Sequence, residues 1–249
     1  LLVRPYDLKI HPTNPDILFA VTSDSIYRTT DGGITWPGVQ GGFFFDIEFK
    51  PGQPDTMYAS TQTNVFLSTD NGITWTATTD PNFPIGNSSR IELAVSPAND
   101  RWVYAIAGDD AGPVQGFIGL YRSADHGVSW NQQSNTPNIL SSRFNGSGAT
   151  GQAFYDLALA VNPSNLAVVN AGGVNAWRSV NFGNSWTLSS HWREDSVAAY
   201  GVGYTHADIH HLEYNNGNLY CGSDGGIYVS PDAGVTWTDL SRGLGISQF

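Results

Sequence analysis

The chain of 249 residues carries 22 acidic against 11 basic side chains, a net charge of −11, and its lysines are Lys9 and Lys50 alone. A phosphate backbone or an anionic bilayer demands clustered cations, so no nucleic-acid partner is expected, and no apolar run is long enough for a membrane span. Only 13% of residues are charged, and 28 glycines and 13 prolines point to strands joined by many turns rather than to helices. The single cysteine, Cys221, excludes an intrachain disulfide and is expected as a buried thiol.

In chain order the elements repeat. Asp7–Pro12 and Ile17–Val21 read as two strands around a Pro-containing turn, and a hairpin follows in Tyr27–Trp36. The same order recurs in Asp46–Pro51, Thr56–Ser60 and Phe66–Trp75, then in Ile91–Pro97, Trp102–Ala107 and Tyr121–Trp130. It recurs again in Leu157–Pro163, Leu166–Ala171 and Trp177–Trp186, and finally in Leu212–Asn215, Asn218–Gly222 and Tyr228–Trp237. The five hairpins share aromatic-x-[Ser/Thr]-x-[Asp/Asn]-x-Gly-x-[Ser/Thr]-Trp, with Asp31, Asp70, Asp125, Asn181 and Asp232 at the acidic position and Trp36, Trp75, Trp130, Trp186 and Trp237 closing. Asn181 is the amide variant in the fourth copy.

Each position has a physical role. The Asp or Asn side chain accepts from backbone N–H groups just ahead and pins a tight turn. The glycine supplies positive φ, and the flanking aromatics lie on strands and pack between sheets. Four strands per repeat, with closing tryptophans 39 to 56 residues apart, predict an all-β propeller of four-stranded antiparallel blades. The blades run approximately over 5–38, 43–78, 89–132, 153–188 and 206–239, in a single propeller domain or fragment over 1–249. A β-sandwich is the rival. Residues 244–249 read as the start of a sixth blade, so a larger ring, completed by the remainder of a longer chain, is expected.

The repeats resemble the BNR/Asp-box units of sialidases, sortilin-type propellers and xyloglucanase-type glycoside hydrolases. His206-x-Asp208-x-His210, Gly222–Tyr228 and Leu240–Phe249 resemble large secreted bacterial proteins with sortilin-like propellers. The resemblance implies a propeller and a secreted or cell-surface location, and is weak on activity, because one fold hosts many functions.

In such a blade the hairpin turns share one rim with the short turns between the first two strands. The long connections, 76–89, 108–119, 131–152 and 187–205, fall on the other rim, and binding residues favour loops held by a rigid frame. The segment from Ser190 to His211 is the richest in chemistry. Trp192, Arg193, Tyr200, Tyr204, His206, Asp208 and His210 are the candidate ligand-binding residues: flat rings for sugar faces, and polar groups for hydroxyls or for a protein partner. Glycoside hydrolysis needs two carboxyl groups, for which Glu194, Asp195 and Asp208 are the local candidates and Asp109 and Asp110 lie on another long loop. No arginine cluster or opening motif of a sialidase is found. His206, Asp208 and His210 alternate along a strand, so they project to one face and form a candidate metal site; the parity of His210 with Leu212 and Tyr214 points instead to a buried polar network at the blade edge. No other cofactor is implied. The reading is a recognition or scaffold module for carbohydrate or protein, with a glycoside hydrolase as runner-up.

Overall fold

The computed structural model describes residues 3–83, 86, 88–110 and 116–245. They form five sheets, each built up and down in sequence order and antiparallel except for one added strand of the fourth. The first holds β1 (Pro5–Ile10), β2 (Leu18–Thr22), β3 (Ser25–Thr29) and β4 (Gly38–Gly41); the second holds β5 (Phe44–Phe49), β6 (Met57–Thr61), β7 (Val65–Ser68) and β8 (Thr76–Ala77). The third holds β9 (Arg90–Val95), β10 (Val103–Asp109), β11 (Gly116–Ser123) and β12 (Asn131–Ser134). The fourth holds β13 (Ala158–Val161), β14 (Val169–Gly172), β15 (Ala176–Ser179), β16 (Thr187–His191) and the short β17 (Gly203–Tyr204). The fifth holds β18 (Ile209–Asn215), β19 (Asn218–Ser223), β20 (Gly226–Ser230) and β21 (Thr238–Asp239).

Sheets pack face to face in sequence order through their first strands, β1 on β5, β5 on β9, β9 on β13 and β13 on β18. Those five strands surround a central channel. This is a radial propeller arrangement and not a two-sheet sandwich. Second strands such as Met57–Thr61 and Val103–Asp109 read as nearly continuous apolar runs because neighbouring sheets cover both of their faces. The interfaces are apolar: Phe19, Val21 and Ile26 meet Phe44, Ile47 and Met57, and Tyr104, Ile106 and Leu120 meet Leu159, Val169 and Trp177. Cys221 is buried between the fourth and fifth sheets, where burial pushes its thiol up to about 12.

The hairpins are built as their sequence implies. In the second, Asp70 Oδ1 accepts from the Ser68 hydroxyl at 2.8 Å and from the Thr74 N–H at 2.9 Å, and its Oδ2 accepts from the Thr74 hydroxyl at 2.6 Å. Hydrogen bonds from both threonine hydroxyls and the Thr35 N–H hold the Asp31 carboxyl at about 2, and the Thr74 hydroxyl and N–H do the same for Asp70. The residue before the box glycine is also left-handed, with φ of 59° at Asn71, 65° at His126, 64° at Phe182 and 59° at Ala233. The closing indoles of Trp36, Trp75 and Trp130 donate to the carbonyls of Gly33, Gly72 and Gly127. In the last two copies a hydroxyl from the preceding sheet is inserted. Trp186 donates to Ser134 Oγ, which donates to the Gly183 carbonyl, and Trp237 donates to Ser189 Oγ, which donates to that of Gly234.

Backbone hydrogen bonds fix the two rims. Gly32, Asn71, His126 and Phe182 in the box turns donate to Asp16, Asp55, Arg101 and Ala167 in the turns between the first two strands. On the opposite rim Gly42 donates to Asp24, Ser89 to Gly108 and Ile209 to Gly173, tying the entries to the second, third and fifth sheets to the end of a second strand or the turn after it.

One expectation is corrected. The connection from the fourth to the fifth sheet is not an open loop: a 3-10 turn (Glu194–Ser196) and one helical turn (Val197–Tyr200) return the chain so that β17 pairs parallel with β16, Ser190 with Gly203 and His191 with Tyr204. The expected start of a sixth blade falls on 244–249, of which 246–249 lie outside the described residues.

Candidate functional site

The first strands all begin at the long-loop rim, so the residues at their starts ring the channel mouth. Below the mouth, the channel is lined by Asp7, Lys9, Asp46, Glu48, Arg90 and Glu92, with cavities of about 60 and 250 Å³. Lys9 Nζ donates to Glu48 Oε1 at 3.0 Å and lies 3.7 Å from Asp7. Burial works against the Lys9 ammonium, but Glu48, Asp7 and Asp46 outweigh it and hold its pKa above the usual lysine range. Asp46 accepts the Leu93 N–H at 2.7 Å, and burial, with Glu48 and Asp7 beside it, pushes its carboxyl up to about 8. Burial raises Glu92 as well, although Arg90 Nε donates to it at 2.7 Å. This cluster was missed from sequence. Its residues are two apart on separate strands, and only the propeller axis collects them.

Arg90 also builds the rim. Its guanidinium donates to the carbonyls of Phe154, Tyr155 and Leu157 and lies 5.3 Å from the Phe45 ring centre. The Phe154 N–H donates to Asp110 Oδ2 at 2.7 Å. So held, the exposed Phe154 meets Phe43 and Phe45 edge-on, at 6.2 and 5.7 Å between ring centres. Tyr155 donates to Asp224 Oδ2 at 2.8 Å and sits edge-on to the His210 ring, whose Nε2 is 2.8 Å from Asp224 Oδ1. Gln152 donates to Asp208 Oδ1 at 2.6 Å and to Asp156 Oδ2 at 3.1 Å. Asp156 is buried, and burial pushes its carboxyl up to about 8.

A second aromatic group stands on the same rim. Tyr200 stacks on Phe144 with ring centres 4.3 Å apart and planes at 9°. Trp192 donates its N–H to Asn175 Oδ1 and its indole N–H to the Ser142 carbonyl. The buried His191 lies between the two rings, its pKa lowered by burial, and its Nδ1 accepts the Arg193 N–H. Among the described residues every exposed Phe, Tyr or Trp, namely Phe144, Phe154, Tyr155, Trp192 and Tyr200, lies on the two connections flanking the fourth sheet. The exposed hydrophobics of the box hairpins are aliphatic.

The predicted residues fare unevenly. Trp192, Arg193 and Tyr200 are together at the rim, with Arg193 over the Trp192 ring at 5.7 Å. Tyr204 is not at the rim; it packs edge-on against Tyr228 within the interface of the fourth and fifth sheets. His206, Asp208 and His210 do not alternate along a strand: β18 begins at Ile209, Asp208 has a φ of 63°, and the register shifts between Ile209 and His211. The bulge turns Ile209 rather than His210 into the core, so the expected parity of His210 with Leu212 and Tyr214 fails. His206 lies on the backbone of Gly225, Asp208 meets Gln152 and His210 meets Asp224, and among the described residues no three His, Cys, Asp or Glu side chains are grouped to hold a metal. Of the carboxylate candidates, Asp195 is exposed and its pKa is lowered by hydrogen bonds from Arg193 and Ser196, Glu194 shares its short turn, and Asp208 has the separate partner Gln152. Asp109 ends β10, and Asp110 braces Phe154.

Residues 66–77 match the BNR/Asp-box repeat model. No curated protein sequence matches the chain. Among solved structures the chain is similar to an ancestral GH74 enzyme, with a TM-score of 0.67 and 16% identity over 99% of this chain and 32% of that one. It is similar to the GH74 xyloglucanase of Xanthomonas campestris, with a TM-score of 0.61 and 19% identity over 92% of this chain and 38% of that one. It is also similar to a chain of a nidogen/laminin complex, with a TM-score of 0.59 and 11% identity over 93% of this chain and 77% of that one. The chain thus spans about a third of the length of the GH74 enzymes. Among the described residues no helix is long and apolar enough to cross a membrane. Five four-stranded sheets stacked about one channel make this chain a β-propeller, and its second hairpin, residues 66–77, matches the BNR/Asp-box repeat.

Proposed function

We propose that the chain is a recognition module that binds neutral carbohydrate on its long-loop rim, outside the cell. The observation that carries this reading is the confinement, among the described residues, of exposed aromatic rings to that rim, beside Asp208, Asp224 and His210. Aromatic faces desolvate well against the apolar faces of sugar rings while the carboxylates and amides at their edges take hydroxyl hydrogens. The likeness in fold to a xyloglucanase makes xyloglucan the first glycan to offer. Calorimetry with soluble neutral polysaccharides should give saturable binding that Trp192→Ala and Tyr200→Ala each weaken by about tenfold, roughly 1.4 kcal/mol. Absence of binding to any glycan, or full binding by both variants, sinks the reading. Release of reducing ends that Asp208→Asn abolishes would assign the chain to the hydrolases instead.

A further inference from the structure

We propose that the outward face of the first sheet and that of the fifth are two halves of an unfilled interface, whose occupant is a further Asp-box blade. Each interface between neighbouring sheets follows one rule. Ile47, Leu93, Leu159 and Leu212 hold equivalent places on β5, β9, β13 and β18, opposite Ala59, Ala105, Ala171 and Cys221. The preceding sheet covers them to 0, 2, 6 and 6% exposure. Leu8 stands in the same register opposite Ala20 on β1, yet it is 50% exposed, and Ile10 beside it is 59% exposed. The box glycines repeat the contrast. Gly72 lies on Phe19, Gly127 on Tyr58, Gly183 on Leu120 and Gly234 on Asn170, each from the preceding sheet, whereas the atoms nearest Gly33 belong to its own Trp36.

The fifth sheet carries the complementary half. Across the fourth sheet, Ala160, Asn170, Arg178 and Thr187 form one row. Asn170 and Arg178 grip the next box by donating to the Ala233 carbonyl at 3.2 and 2.9 Å. Glu213, Tyr220, Val229 and Thr238 are the same row on the fifth sheet, and Tyr220 holds the place from which Phe19 and Tyr58 reach the next box glycine. Beside it Ile227 is exposed. The first and fifth sheets do not pack on each other as the other neighbours do. Continuity with four interfaces of one design commits the gap to a sheet of the same kind, with a box glycine for Tyr220 and a second-strand side chain for Gly33.

The test appends a copy of residues 39–78, a complete Asp-box unit, after the last residue of the full chain. The expected result is a Tm raised by about 3 °C or more, new amide protection at Tyr220 and Ile227, and loss of both on Ile227→Asp. In the unmodified chain Ile227→Asp and Leu8→Asp should be nearly neutral. An appended unit that stays protease-sensitive with Tm unchanged overturns the proposal. So does destabilisation of the unmodified chain by Leu8→Asp, which would mean that its own fifth sheet closes the ring. Self-association of the unmodified chain that Ile227→Asp abolishes overturns it too, by assigning the face to a second copy.

Discussion

The Phe19 ring of the first sheet occupies the space that a Cβ on Gly72 of the second would need. Gly72 also has a φ of 72°, so the position excludes a side chain twice, by backbone conformation and by the neighbouring sheet. Gly72→Ala should cost about 3 kcal/mol or more, measured by denaturant unfolding. Gly52→Ala, also at positive φ but with open space around it, isolates the backbone part and should cost about 1 kcal/mol.

Ser134 joins two sheets by accepting from Trp186 and donating to Gly183. Ser134→Ala leaves an indole N–H and a carbonyl at the interface without their partner, for a loss of about 1–3 kcal/mol. Ser129→Ala, which removes an exposed hydroxyl from the box of the same sheet, should cost less in the same unfolding series.

Asp46 and Asp156 make the protein less stable as pH rises. Both carboxyls are raised to about 8 by burial, above the usual value near 4 in the unfolded chain. Between these limits the folded state holds more protons than the unfolded one, so stability falls as pH climbs from about 4 to 8. Asp46→Asn and Asp156→Asn should each flatten that fall and raise stability at pH 8. Unfolding free energies at pH 5 and pH 8 check it, and an unchanged slope in both variants refutes it. The box carboxyls act in the opposite sense: Asp31 and Asp70, lowered to about 2, contribute stability above pH 4 that is lost as pH falls toward 2.

Arg90 joins the channel to the rim, pairing with Glu92 below and holding the carbonyls of Phe154 and Tyr155 above. Arg90→Met strands Glu92 in the channel and should cost about 3 kcal/mol. It should also loosen the rim aromatics, seen as faster amide exchange at 152–157. Arg90→Met with Glu92→Leu should restore stability while leaving the exchange fast, which separates the two roles.

The hairpins were legible residue by residue. Asp, Gly and the box hydroxyls at fixed spacing encode a local turn whose hydrogen bonds close within a few residues, although the indoles of Trp186 and Trp237 reach serines of the preceding sheet. The number of strands and their order follow from period-2 patterning, which is also local. The position of Tyr204 was not legible, since a tyrosine in a polar loop gives no sign that the loop will fold back as β17 and bury the ring on Tyr228. Nor was the bulge at His210, because one extra residue flips the parity on which any strand-facing argument rests.

Sequence alone therefore determined the repeat: sheets of four strands, box turns at one rim and long connections at the other. Tertiary structure alone decided which charges share the channel, which rings stay at the rim, and where Leu8 is left uncovered. These depend on packing between segments tens of residues apart, and no local pattern of side chains records which distant sheet will become a neighbour.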